Sequence, residues 1–240
     1  MKQLSRTEWT ILAVVMVYTF IPSVGGLIRV LELAGGPAIA PENPRASAAP
    51  VPIVLHILSS VVFCLLGAIQ FLPSVRRHHP ATHRGFGRLV AAAGCLCAGS
   101  GLWMTHVYSF PADLQGSLLY WARIVLGGLL IGFIVRAVTA IGSGNVPGHR
   151  AAMLRAYAIG QGASTQTFLG IGWIIISGTE LSGPARDGMM VLAWALNLVV
   201  AERVISQLRT QNTGPDIRAT AIGTPLGDTG SHSPTPDRVG

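Results

Sequence analysis

The sequence predicts an all-α membrane protein, folded as a polytopic transmembrane helical bundle of about six spans. Half of the 240 residues are hydrophobic and only 11% are charged, whereas about 25% of the residues in a typical soluble domain are charged. The mean hydropathy is +0.52. The apolar residues also fall into six segments, each close to the roughly 20 residues that a helix needs to cross a bilayer.

The six segments divide the chain into three parts. They cover residues 9–28, 51–74, 88–108, 118–140, 153–177 and 188–206. The first segment and an outer loop occupy residues 1–50, and its apolar run is longer than the about 7–15 residues of a signal peptide. The core transmembrane domain occupies residues 51–207. Residues 208–240 are rich in Gly, Pro, Ser, Thr and Asp, and such a composition predicts a disordered cytoplasmic tail because it buries too little apolar surface to offset chain entropy.

The basic residues predict the orientation. With the N-terminus in the cytoplasm and six spans, thirteen of the 17 Lys and Arg residues lie on the cytoplasmic side. The four on the outer side are Arg29, Arg45, Arg123 and Arg186. This distribution follows the positive-inside rule and puts both termini in the cytoplasm. The net charge of +7 does not indicate a nucleic-acid partner, because the basic residues lie in short loops between apolar runs.

Polar residues inside the predicted spans are candidate site residues, because an unpaired polar group in lipid is costly. They are His56 and Gln70 in the second segment, and Asn197 and Glu202 in the sixth. Glu202 and Arg155 each lie about one turn from the cytoplasmic end, and an ion pair between them would relieve both burial costs. The alternative is that Glu202 pairs within its own helix end while Arg203 snorkels to the surface.

The third and fifth segments share one plan at their cytoplasmic ends. His83-Arg84 opens the motif HRGFGR, and His149-Arg150 opens the motif HRAAMLR. In each case a stripe of small or polar residues follows on one helix face. Such a stripe allows another helix, or a flat ligand, to approach closely.

Several motifs follow one another along the core. They are His56, Gly67-x-x-Gln70-Phe71, Arg76, His83-Arg84-x-x-Gly87-Arg88, His149-Arg150-x-x-Met153-x-Arg155-x-Tyr157, and Trp194-x-x-Asn197-Leu198-x-x-Ala201-Glu202. In this order they resemble a bacterial membrane-protein family built on domain of unknown function 2306, over roughly residues 51–206. The resemblance implies a multi-pass protein of the bacterial inner (plasma) membrane, and it implies no activity.

One hypothesis for the two histidines is the binding of b-type haem. Haem iron takes axial histidines from facing helices, and small residues make room for the ring. His83 and His149 would be the iron ligands, and Arg84, Arg150 and Arg155 would bind the propionates through charge-assisted hydrogen bonds. The protein would then transfer electrons through or along the membrane with an electron-transfer partner.

A second hypothesis involves no redox chemistry. A His-Arg pair at two helix starts makes an anion site, because helix N-termini favour negative charge. The protein would then bind or transport an anionic lipid, a quinone or a small anion. Its interior path would be lined by His56, Gln70, Asn197 and Glu202. A purely structural membrane role is the remaining alternative.

The chain contains no recognisable catalytic set. His78, His79 and His83 have no acidic or cysteine ligand near them in the sequence, which a zinc site would be expected to include. No serine is accompanied by the base and orienting group that a nucleophile needs. We therefore assign no catalytic residue and no hydrolase or transferase activity, and a redox component is the one enzymatic role left open.

The predicted topology can be tested with reporter fusions. Green fluorescent protein fused after Ser206 is expected to fluoresce, and alkaline phosphatase fused there is expected to be inactive, because that position is predicted to be cytoplasmic. Fusions after Leu181 serve as the matched control and are expected to give the opposite result. An active phosphatase after Ser206 would contradict the orientation.

Overall fold

The computed structural model describes residues 5–213 of the chain. Within them the chain is almost entirely helical and contains no strand, so the predicted all-α class is confirmed. The helices are α1 (Arg6–Leu33), α2 (Pro44–Ala48), α3 (Pro50–Gln70), α4 (Pro73–His78), α5 (Pro80–Val107), α6 (Ser117–Gly142), α7 (Val146–Gly160), α8 (Gly162–Ser177) and α9 (Gly183–Thr213).

Five helices in the described part of the chain are long and apolar enough to cross a membrane. They are α1, α3, α5, α6 and α9. Each presents large apolar side chains on the outside of the bundle, such as Val17 on α1 and Val200 on α9. A soluble monomer rarely exposes so much contiguous apolar surface. The protein is therefore a membrane protein whose outer helix faces contact lipid.

The predicted fifth span is divided into two helices, which differs from the single helix expected over 153–177. Helix α7 ends at Gly160, and α8 begins at Gly162, with Gln161 between them. The pair runs antiparallel to α9, because Ile159 accepts a hydrogen bond from Trp194, and Gln166 donates one to Met190. Neither α7 nor α8 is among the five helices that could cross a membrane alone. The crossing predicted over residues 153–177 therefore depends on both helices together, packed against α9.

Helix starts are well specified by the sequence at the end of the bundle that carries His83 and His149, which we call the basic end. Proline stands in the first turn of both α5 and α7, where its missing N–H needs no partner. The Asn145 side chain caps α7 by accepting a hydrogen bond from the Gly148 N–H at 2.8 Å. These features place His83 and His149 in the first turns of two long helical segments.

A carboxylate ties α1 to α4 at the same end. The two oxygens of Glu8 accept hydrogen bonds from the backbone N–H and the hydroxyl of Ser74, each at 2.7 Å. Glu8 also completes a capping box with Ser5 at the start of α1. The first helix is thereby attached to α4 through a buried polar contact.

The core of the bundle is built around the ring of Phe63 on α3, which is fully buried. Gly94 on α5 and Gly160 on α7 face this ring, and a Cβ atom at either position would overlap it. Leu130 and Ile134 of α6 complete the same apolar cluster. The small residues predicted as stripes therefore make room for a side chain of the protein itself.

The last helix extends beyond the predicted end of its span. Helix α9 continues to Thr213, past the predicted start of the tail at residue 208. Residues up to Arg203 belong to the main compact unit, and a second unit begins at Val204. The rest of the predicted tail, residues 214–240, lies outside the described residues.

A pair of glycine substitutions on α5 tests the packing around Phe63. A Cβ at position 94 would lie 2.5 Å from Ile134 and 2.7 Å from the Phe63 ring, so Gly94→Ala is expected to lower stability by about 1–3 kcal/mol through overpacking. A Cβ at Gly99 meets no atom within 4 Å, so Gly99→Ala is expected to be neutral or slightly stabilising through helix propensity. Thermal unfolding in detergent measures both, and equal Tm values would contradict the packing described.

Candidate functional site

The two His-Arg motifs come together at the basic end. His83 on α5 lies within electrostatic range of His149 on α7, and also of Arg76 and Arg84. Three separate elements, α4, α5 and α7, therefore contribute cationic or titratable side chains to one region. We call this group, with Arg150 added, the basic cluster.

Arg76 and Arg150 are the half-buried arginines of the basic cluster, whereas Arg84 is exposed. Partial burial lowers the pKa of Arg76, and the neighbouring positive charges of Arg150 and Arg77 lower it further. Like charges held together in this way favour the approach of a negative charge. The electrostatics of the cluster therefore suit an anion better than another cation.

Two buried polar atoms, one in the basic cluster and one close to it, have no hydrogen-bond partner among the described residues. They are Nε2 of Gln70 and Nδ1 of His83. Gln70 lies beside Gly87, where its Oε1 would be 3.6 Å from a Cβ atom, and Gly87 is one helical turn from His83. Leaving such a group unsatisfied costs about 1–3 kcal/mol. Both atoms can donate a hydrogen bond to a ligand oxygen, provided that His83 carries its hydrogen on Nδ1.

His149 has one of its ring nitrogens fixed by the protein. Its Nδ1 lies 2.9 Å from the carbonyl oxygen of Ala137 on α6. Because a carbonyl only accepts, Nδ1 must carry the hydrogen of this bond. The ring is therefore held against α6, with Nε2 as its second polar atom.

Arg155 is bound to Glu202 on α9 rather than to a residue of the basic cluster. Its Nε and Nη2 atoms donate hydrogen bonds to the two carboxylate oxygens of Glu202, at 2.5 and 2.8 Å. The guanidinium also lies over the ring of Phe133. The predicted Arg155–Glu202 ion pair is thus present, and it joins α7 to α9 in bidentate geometry.

The residues do not fit a haem in the way the small-residue stripes suggested. A ring held by His83 would need space near Gly87, one helical turn along α5, and the side chain of Gln70 already lies beside that glycine. The stripe farther along the two helices, at Gly94 and Gly160, is filled by the ring of Phe63. Arg155, one of the predicted propionate partners, is paired with Glu202. Within residues 5–213, no group of three or more His, Cys, Asp or Glu side chains is arranged to hold a metal ion.

The four polar residues predicted to line one path lie in separate places. His56 and Gln70 are 14 residues apart on α3, which is about 21 Å along a helix. Asn197 accepts a hydrogen bond from Thr165 at 2.7 Å and donates one to the carbonyl of Ala158 at 3.1 Å. Glu202 is paired with Arg155. A path lined by all four residues stays a prediction.

The sequence analysis missed Gln161, at the break between α7 and α8. Its Nε2 donates hydrogen bonds to the hydroxyls of Tyr157 and Thr19, at 2.8 and 3.1 Å. Its Oε1 accepts a hydrogen bond from Ser164. The signal available in the sequence was the pair of glycines on either side of it, Gly160 and Gly162.

The geometry and composition define the class of protein: a polytopic, all-α membrane protein whose helices are joined by hydrogen bonds and an ion pair as well as by apolar packing. The family described as "Predicted membrane protein (DUF2306)" matches residues 53–205, which is more than half of the chain. The chain belongs to this family, and the resemblance seen in the sequence is confirmed. Neither a curated protein nor a solved structure gave a significant match.

Proposed function

We propose that this chain is a bacterial inner-membrane protein that binds an anionic phospholipid headgroup at the cytoplasmic side, through the basic cluster. The observation that carries the proposal is the pair of unpartnered buried atoms, Gln70 Nε2 and His83 Nδ1, beside that cluster. Buried polar groups are normally hydrogen-bonded, so two such atoms in one place indicate a missing acceptor.

Phosphate oxygens would supply the hydrogen-bond acceptors that Gln70 and His83 lack. Gln70 and His83 would each donate a hydrogen bond, and Arg76 and Arg150 would provide charge. The N-termini of α5 and α7 add partial positive charge in the same region. The anion would also relieve the mutual repulsion of the arginines, which the lowered pKa of Arg76 reflects.

A lipid headgroup is favoured over a dissolved anion by the neighbouring surface. Phe86 and Leu89, one to two turns into α5 from His83, are exposed apolar residues suited to acyl chains. Basic pockets between transmembrane helices on the cytoplasmic side commonly bind anionic lipid headgroups. The role would be recognition or handling of an anionic lipid in the inner leaflet.

The second candidate is haem binding with electron transfer. One observation favours it: the hydrogen bond of His149 to Ala137 orients the ring and leaves Nε2 as the potential ligand atom. Two observations count against it: the Gln70 side chain lies beside Gly87, next to His83, and Arg155 is paired with Glu202.

The lipid proposal is tested by native mass spectrometry of the purified full chain with phosphatidylglycerol or phosphatidylcholine. The wild type is expected to retain phosphatidylglycerol preferentially. Arg150→Gln should weaken that retention about fivefold, since a basic residue near the surface contributes about 1 kcal/mol. Gln70→Leu should weaken it through the lost hydrogen bond. Arg136→Gln, an exposed arginine on α6, is the matched control and should behave as wild type.

Competition with inorganic phosphate separates the two sources of the same chemistry. Displacement of the lipid by millimolar phosphate would indicate a site for the free anion rather than for the lipid. Equal retention of the two lipids by the wild type, or an Arg136→Gln effect as large as that of Arg150→Gln, would overturn the lipid proposal.

The haem candidate is tested by optical spectra of protein expressed with ample haem, oxidised and then reduced with dithionite. We expect no b-type α-band, because the Gln70 side chain lies beside Gly87, where a ring held by His83 would need space. A near-stoichiometric α-band that His83→Ala and His149→Ala both abolish, and that His56→Ala leaves intact, would instead establish a membrane cytochrome.

A further inference from the structure

A cavity of about 260 Å³ lies at the end of the bundle opposite the basic end, between α3, α5, α6 and the α7–α8 pair. Its wall is mainly apolar, with Leu126, Ile159 and Trp194 among the lining residues. The backbone break at Gln161 contributes to the wall, because Gly160 and Ala163 on either side of the break line the cavity. None of these groups belongs to the basic cluster.

Arg123 is the charged residue that lines this cavity. It lies six residues into α6, about 9 Å from the start of that helix. Within the described residues it forms no ion pair, and its guanidinium donates to the side-chain oxygen of Gln115. A charge taken into the bundle without an ion pair is costly, and inside a membrane it indicates a functional site by default.

Two other arginines lie close to Arg123. Arg45 and Arg123 both lie over the ring of Phe110, at 5.1 and 5.0 Å from its centroid. Arg186 is within electrostatic range of Arg123, and so is Asp187. Asp187, however, accepts hydrogen bonds from the backbone N–H groups of Gly116 and Leu119, which is how it caps α6.

The four arginines predicted on the outer side are therefore not spread evenly. Three of them surround the loop that covers the cavity, and Nε of Arg45 is buried without a hydrogen-bond partner among the described residues. The fourth, Arg29, is paired with Glu32. The mouth of the cavity thus has an excess of positive charge.

His56 is a second polar side chain that lines the cavity, after Arg123. Its Nδ1 lies 2.9 Å from the carbonyl oxygen of Cys97, so this nitrogen carries a hydrogen. Its Nε2 forms no hydrogen bond within residues 5–213, and the ring lines the cavity within electrostatic range of Arg123. In the neutral ring, Nε2 accepts a hydrogen bond.

We propose that this cavity binds a small aromatic carboxylate, whose carboxylate pairs with Arg123 and whose ring lies against Trp194 and the apolar wall. A cavity of about 150 Å³ holds one benzene ring, so about 260 Å³ accommodates one ring with its carboxylate. A hydroxyl on the ring would donate to Nε2 of His56. Three arginines face one carboxylate there, that of Asp187, so a ligand carboxylate would reduce the excess of positive charge.

The test is isothermal titration calorimetry of the full chain in zwitterionic nanodiscs, with empty nanodiscs subtracted. The probes are 4-hydroxybenzoate and its uncharged analogue 4-hydroxybenzyl alcohol. We expect saturable one-to-one binding of the acid, at least tenfold tighter than the alcohol. Arg123→Gln should weaken binding of the acid at least tenfold and leave the alcohol unchanged. Arg136→Gln, on the same helix but outside the cavity, should bind as wild type.

His56 is tested separately with benzoate. His56→Phe should reduce the affinity for 4-hydroxybenzoate to that for benzoate, whereas the wild type should distinguish the two. No saturable binding by the wild type, or equal affinity for acid and alcohol, would overturn the proposal even if Arg123→Gln failed to fold. Unchanged binding by a folded Arg123→Gln would overturn it as well.

Discussion

The packing of one aromatic ring determines how closely the helices of this bundle approach. Phe63 projects from α3 into the space left by glycines on α5 and α7, and any side chain at those glycines would overlap its ring. Lipid offers no hydrophobic drive for helix association, so close van der Waals packing between small and large residues has to supply it. Three helices are thereby held together at one level, and α6 closes the cluster with Leu130 and Ile134. The polar features lie above and below this level.

Most of the fold could be predicted from composition and spacing. The long apolar runs correspond to five helices of the right length, and the Arg155–Glu202 pair was accessible because each residue would be costly alone in a membrane. The division of the fifth segment was not predicted, because hydropathy does not reveal a backbone break whose carbonyl groups are hydrogen-bonded by another helix. The carbonyls of Ala158 and Ile159 accept hydrogen bonds from Asn197 and Trp194 of α9. The small-residue stripes were recognised, but a single sequence cannot reveal that the partner of a stripe is Phe63 rather than a cofactor.

In the candidate sites, too, the motifs could be predicted from the sequence, whereas the contacts between helices could not. His83 and His149 were found because each begins an identical His-Arg motif, and a shared motif can be read along the chain. Gln70 was found as an intramembrane polar residue, but its proximity to His83 depends on how α3 packs on α5. The convergence of Arg45, Arg123 and Arg186 was not predicted, because they come from three distant stretches that meet at the loop between α5 and α6. Positive charge therefore gathers at both ends of the bundle, although its total is much larger at the basic end.

The break at Gln161 has a consequence for how the protein enters the membrane. Helices α7 and α8 have 15 and 16 residues, and either alone is shorter than the roughly 20 residues that cross the hydrocarbon core. The segment also carries Thr165 and Gln166, whose side chains form hydrogen bonds with residues of α1 and α9. Released singly from the translocation machinery, this segment would expose those groups to acyl chains. Its stable insertion therefore has to await α9, which is synthesised later, so the C-terminal part of the core is integrated as a hairpin rather than one helix at a time.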